Sequence, residues 1–173
     1  MMQTRAFLGL SALFVILACS PTKSATNTDT STVASATPDP AADQAAISKA
    51  HDVIEGGYRT SDCNAIASVT ANDGVFEPPN TPTAKGLDAI RAWCQPMFTQ
   101  MKTKSLAISN KGVDLSGDIA VDHGDYDWIL TPAKGGADVH SVGRYETVWG
   151  RQSDGSWKVT RLMWNSSEAP PRS

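Results

Sequence analysis

The chain has 173 residues, 40% of them hydrophobic and 19% charged, with a formal net charge of −3. That length suits one domain once a non-globular front is set aside, and the mild acidity excludes the basic footprint that a nucleic-acid binder needs. All five Trp fall after residue 90, which places the aromatic mass of a core or pocket in the second half of the sequence.

Residues 1–18 read as a secretory signal. Arg5 supplies the basic start, and Ala6–Ala18 form an apolar run too short to span a bilayer. The run ends in Ile16-Leu17-Ala18-Cys19, which resembles the lipobox of bacterial lipoproteins. The resemblance implies a diacylglyceryl thioether on Cys19, cleavage before it and acylation of the new amino terminus. Each buried CH₂ contributes about 0.8 kcal/mol, so several acyl chains anchor far more firmly than one. Ser20 follows the cysteine where an Asp would retain many such proteins in the inner membrane. The expected location is therefore the bacterial cell envelope, lipid-anchored on the periplasmic face, with the outer membrane favoured. Residues 19–38 are Ser, Thr, Ala, Asn, Asp and Pro with little to bury, and are read as a disordered tether.

The folded domain is expected over 39–167, with 168–173 as a flexible tail. Asp39-Pro40 opens a helix as N-cap and first helical residue. Ala46, Ala50, Val53, Ile54, Gly57 and Tyr58 then recur at helical spacing. Ser61-Asp62 opens a second short helix. A short strand at Gly74–Glu77 stops at Pro78-Pro79-Asn80, and a brief extended piece at Thr83–Lys85 leads through Gly86 into a third helix. Leu87, Ile90, Cys94, Met97, Phe98 and Met101 mark its apolar face, while Pro96 should kink or split it. Beyond this point the period becomes two. Four long strands are predicted at Ser105–Leu115, Ile119–Leu130, Val139–Arg151 and Trp157–Asn165, with turns at Ser116-Gly117-Asp118, Lys134-Gly135-Gly136 and Ser153-Asp154-Gly155. Helices followed by an antiparallel meander give an α+β class.

The Pro-Pro-Asn turn followed by Lys85-Gly86-Leu87-Asp88-Ala89-Ile90-Arg91, the Gly124-Asp125-Tyr126 and Gly143-Arg144-Tyr145 triplets, and Gly155-Ser156-Trp157-Lys158-Val159 before Trp164-Asn165 together resemble the SnoaL-like branch of the ketosteroid-isomerase-like superfamily. The resemblance covers roughly residues 44–167. It implies a cone-shaped roll, with three helices packed in a curved, mainly antiparallel sheet around a pocket, as a homodimer. Cyclases, isomerases and dehydratases share that branch with proteins of no known activity.

Along Ile119–Leu130 both faces are mixed, so the neighbouring strand is used to choose. Gly143, Tyr145, Thr147 and Trp149 share a face and are taken as inward, with Asp122, Gly124, Tyr126 and Trp128 beside them. In the last strand Trp157, Val159, Arg161 and Met163 should then point the same way. Counting from the turns puts Asp122, Thr147 and Arg161 in one row. Arg161 would hold Asp122 ionised as a base or ligand acceptor; a self-satisfied buried ion pair is the plainer alternative.

Many relatives carry an acidic residue after the basic one in the last strand; here it is Leu162, which weakens a two-acid mechanism. His123 falls opposite Asp122. His51 and His140 are read as surface residues without a partner at metal spacing, so neither metal nor cofactor is expected. Cys63 and Cys94 are candidates for a disulfide, or for two buried thiols. Trp93, Trp149 and Trp164 with Met97, Phe76 and Tyr58 are candidates for an apolar pocket wall or for ordinary core. The expectation is a domain that binds a small apolar or amphipathic ligand; a proton-transfer enzyme and a protein-interaction module are the alternatives.

Overall fold

The computed structural model describes residues 39–167; the signal peptide, Cys19, the tether and the tail lie outside the described residues. Helix α1 spans Pro40–Thr60. The Asp39 side chain accepts from the amides of Ala41 and Ala42, at 3.1 and 3.2 Å, two of the donors that a helix start leaves unpaired. Ser61 ends the helix in the left-handed region, and Asp62 then caps α2, Cys63–Ser68. The two helices meet at Gly57, where an added Cβ would come within 2.7 Å of Ile66. Strand β1 runs Thr70–Glu77 and β2 Ala84–Lys85.

Helix α3, Leu87–Gln100, buries Ile90, Cys94 and Phe98. It runs through Pro96 without splitting. Pro96 and Ala92, whose carbonyl loses its partner, are both exposed, and water can take the freed acceptor. Cys94 is disulfide-bonded to Cys63 with the Cα atoms 5.9 Å apart. Closing that 31-residue separation contributes about 3–4 kcal/mol by the chain-entropy argument.

Strands β3 (Met101–Ser116), β4 (Ile119–Pro132), β5 (Val139–Arg151) and β6 (Trp157–Ser166) form the expected antiparallel meander. Strand β1 joins β6 in parallel, giving a curved, unclosed mixed sheet of order β2-β1-β6-β5-β4-β3. Helix α1 lies over its inner face.

One register detail decides the site. Trp149 pairs with Val159, but Val148 pairs with Arg161, so Thr160 is an extra residue in β6. Such a bulge reverses the inward and outward alternation beyond it. Trp157 and Val159 face inward as expected, whereas Leu162 is buried and Arg161 and Met163 are exposed.

Candidate functional site

Helix α1 turns an unusual face to the sheet. Asp43, Ile47, His51 and Glu55 follow one another at four-residue steps, one stripe of an α-helix, and all four are buried. Of the apolar residues expected to mark the helix, Ile54 and Gly57 are buried and Ala50 and Tyr58 half-buried, whereas Ala46 and Val53 are exposed. The surface assignment of His51 is thereby overturned: it is 7% exposed and packs over β4 and β5.

Opposite His51 lies Asp122, 2% exposed, on β4. Its row is Asp122, Thr147, Leu162 rather than Asp122, Thr147, Arg161. Arg161 pairs with Glu77 on the outer side of the sheet at 2.7 Å and has no role in the site. The cation expected beside Asp122 is replaced by an imidazole. His51 Nε2 lies 3.5 Å from Asp122 Oδ2 and Nδ1 lies 3.8 Å from Glu55 Oε2. Both separations exceed a normal hydrogen bond, so neither carboxyl group fixes which imidazole nitrogen carries the proton. Glu55 is held from its far side by Arg59 at 2.5 Å and Lys111 at 3.2 Å.

Tyr145 completes the group. Its hydroxyl donates to Asp122 Oδ1 at 3.2 Å and its ring stacks on His51 with centroids 5.6 Å apart. Two glycines make this placement achievable. Gly124 pairs with Tyr145 across β4 and β5, and Gly143 pairs with Tyr126. A Cβ on either glycine would sit 2.8 Å from the facing tyrosine ring. Each tyrosine therefore lies over its partner glycine, which sends the Tyr145 hydroxyl to Asp122 and the Tyr126 hydroxyl to Asn165 O.

Burial sets the protonation. It raises the Asp122 pKa against the opposing pull of His51 and Tyr145, and it lowers the His51 pKa against the pull of Asp122. Burial thus disfavours the charged form of each group, the reverse of the help that an arginine would give to an ionised Asp122. Burial also keeps the Tyr145 and Tyr58 phenols protonated.

A cavity with about 70 Å³ of space open to water lies between α1 and the sheet, enough for several waters or a small organic molecule. His51, Glu55, Tyr145 and Thr147 form its polar end; Tyr58, Tyr126, Trp128 and Trp164 its aromatic end; and Ile54, Leu106, Ile108 and Leu162 its aliphatic sides. Of the wall residues expected from sequence, Tyr58, Tyr126, Tyr145, Thr147 and Trp164 reach this space. Phe76, Trp93, Met97 and Trp149 do not: Trp93 packs edge-on against Phe76 and Trp164, and Met97 and Trp149 belong to the core. Asp122 stands behind His51 and Tyr145 rather than on the wall. His123 is exposed on the opposite face from Asp122, and His140 is exposed and paired with Asp127.

His51, Asp52 and Glu55 bring potential ligand atoms within 4.8 Å of one another, the one such grouping among the described residues. Arg59 and Lys111 already neutralise Glu55 there, which leaves little attraction for a metal ion.

Residues 40–163 match the family model for a SnoaL-like domain. The chain belongs to that family. No curated protein matches it in sequence. Among solved structures, this SnoaL-like chain is similar to a ketosteroid isomerase-like protein from Erwinia carotovora atroseptica SCRI1043, with TM-score 0.65 and 20% identity over 72% of this chain and 96% of that one. It is similar to a nuclear transport factor 2-like superfamily protein from Salmonella enterica serovar Typhimurium LT2, with TM-score 0.67 and 14% identity over 76% and 95%. A third, from Novosphingobium aromaticivorans DSM 12444 and provisionally described as a scytalone dehydratase, has TM-score 0.67 and 18% identity over 77% and 89%. At these identities the likeness is one of fold. The chemistry has to be argued from the residues.

Proposed function

We propose that the SnoaL-like domain takes a small, largely apolar molecule into the cavity and moves a proton on it, with His51 as the base and Asp122 as the buried group that balances its charge. The observation that carries this reading is the imidazole at the polar end of an apolar cavity, with a carboxyl group near each nitrogen and bonded to neither. A neutral His can accept a proton from a bound carbon acid. The imidazolium then formed is stabilised by Glu55 and Asp122, and Thr147 offers its hydroxyl to the developing oxyanion while Tyr145 stays on Asp122. The fold neighbour provisionally described as a dehydratase supports chemistry of this type. Cavity and dyad together favour this over a protein-interaction module.

The test needs no natural substrate. In D₂O, the wild-type domain should exchange the α-hydrogens of acetone, a ketone small enough for the cavity, faster than buffer, and His51→Gln should lose about 10²-fold or more of that rate. Exchange at the buffer rate by the wild-type protein would end the proposal.

We further propose that the domain is tethered to the cell envelope through lipidated Cys19. The lipobox-like sequence supports this, and so does the Cys63–Cys94 disulfide, a bond suited to an oxidising compartment. Cys19→Ser should release the protein from the membrane fraction; retention there would contradict the tether.

A further inference from the structure

Three buried polar atoms among the described residues have no hydrogen-bond partner, the Tyr58 hydroxyl, Asp122 Oδ2 and Trp149 Nε1, and the last two are complementary, an acceptor and a donor. They belong to adjacent strands. Asp122 pairs with Thr147 and Ala120 with Trp149, so Asp122 and Trp149 are diagonal neighbours on the inner face. Diagonal pairs stand about 7–8 Å apart at the backbone, within reach of an indole. Trp149 is 0% exposed, so no solvent competes for its N–H. An apolar side chain would fill this core position without leaving a donor stranded, and a stranded donor is costly.

We propose that Trp149 is a positioning residue for the proton-sharing pair: its indole N–H is the donor reserved for Asp122 Oδ2 when that carboxyl group ionises. Tyr145 already donates to Oδ1. When Asp122 is ionised beside a His51 imidazolium, each Asp122 oxygen has its own N–H or O–H donor. The groups that face this carboxyl are few. His51 and, beyond it, Glu55 come from α1; Tyr145 comes from β5; Lys111 comes from β3. Trp149, like Tyr145, is a neutral donor, and its bond to the carboxylate forms without adding charge. Its proximity also draws the Asp122 pKa down against burial. The inference rests on the proton-sharing reading of Asp122 but not on any ligand.

The experiment is an indole ¹H–¹⁵N titration of the whole protein, with the Trp149 signal assigned through Trp149→Phe. Trp128, which donates to Thr103, and Trp157, which donates to Asp43, serve as internal references. The Trp149 N–H resonance should move downfield with a midpoint above the ordinary Asp value, and the movement should vanish in Asp122→Asn. If that variant does not fold, His51→Gln should shift the midpoint instead, since it removes the proton's partner. In Trp149→Phe the Asp122 carboxyl ¹³C midpoint should rise by about one unit, as a donor to the ionised form is lost. A Trp149 signal that stays flat while the carboxyl titrates would overturn the inference and leave the proton-transfer proposal standing. A carboxyl with an unshifted midpoint would remove both.

Discussion

Two of the buried carboxyl groups at helix α1, its own Asp43 and Asp122 opposite His51 about two turns on, are treated in opposite ways. At Asp43 every partner is in place. Arg151 engages both carboxylate oxygens, Trp157 Nε1 donates at 3.2 Å, and the guanidinium stacks 4.6 Å over the Trp157 ring while also reaching Asp118. The guanidinium holds the Asp43 carboxyl below the usual carboxylate range. Near His51 the opposite holds: Asp122 is pushed up, one of its oxygens lacks a partner, and the imidazole stands off both carboxyl groups. His51 lines the cavity and Asp43 does not. A saturated network clamps the helix to the β5–β6 hairpin. An unsaturated one beside open space keeps its protonation adjustable, which is what proton transfer requires.

The largest expected effect breaks the comparison by function. His51→Gln should cost about 10²-fold or more in ketone exchange, while Asp43→Asn should lower the thermal midpoint yet spare exchange per folded molecule. Loss of exchange in both variants to the same degree would erase the distinction. Next comes Gly124→Ala. The new methyl meets the Tyr145 ring at 2.8 Å and Ser109 O at 2.9 Å, so it should cost about 1–3 kcal/mol in denaturant unfolding and slow exchange by displacing Tyr145 from Asp122. Asp122→Asn is a smaller effect of opposite sign: it should gain roughly 0.5–2 kcal/mol at neutral pH while losing exchange, as removal of a strained functional group does.

The smallest effect is in the pH slope. The folded-state pKa of His51 lies below the unfolded value, so its contribution to stability is present above about pH 6.5 and fades as pH falls towards the folded value. That of Asp122 is raised, so its contribution is present below about pH 3.8 and is lost as pH rises through the folded value. Unfolding of wild type and His51→Gln at pH 7 and pH 5 should show the wild type losing more on acidification.

The strands were legible because alternation and turn residues agree along them: Val139–Arg151 is found where its period placed it, and Asp122 and Thr147 do share a row. The third member of that row was misplaced by a bulge at Thr160, for which Val159-Thr160-Arg161 carries no glycine or other local sign. Helix α1 was found, and Ile54 and Gly57 among its apolar markers are buried, but the polar members of the buried stripe were missed because apolar spacing is the usual guide. Asp43, His51 and Glu55 are buried only because Arg151, Asp122 and Lys111 arrive from strands far along the chain. A sequence signal existed, since 43, 47, 51 and 55 form an unbroken four-residue repeat. The partners that make it tolerable did not show. The glycine and tyrosine triplets were noticed as motif, while their reciprocal stacking depends on strand register.

The central claim is that His51 is a neutral, buried imidazole sharing its environment with Asp122, and a ¹H–¹⁵N titration of the His51 ring addresses it most directly. The account predicts a midpoint below 6.5 that changes in Asp122→Asn. A His51 midpoint at or above 6.5, indifferent to the loss of the Asp122 charge, would contradict it.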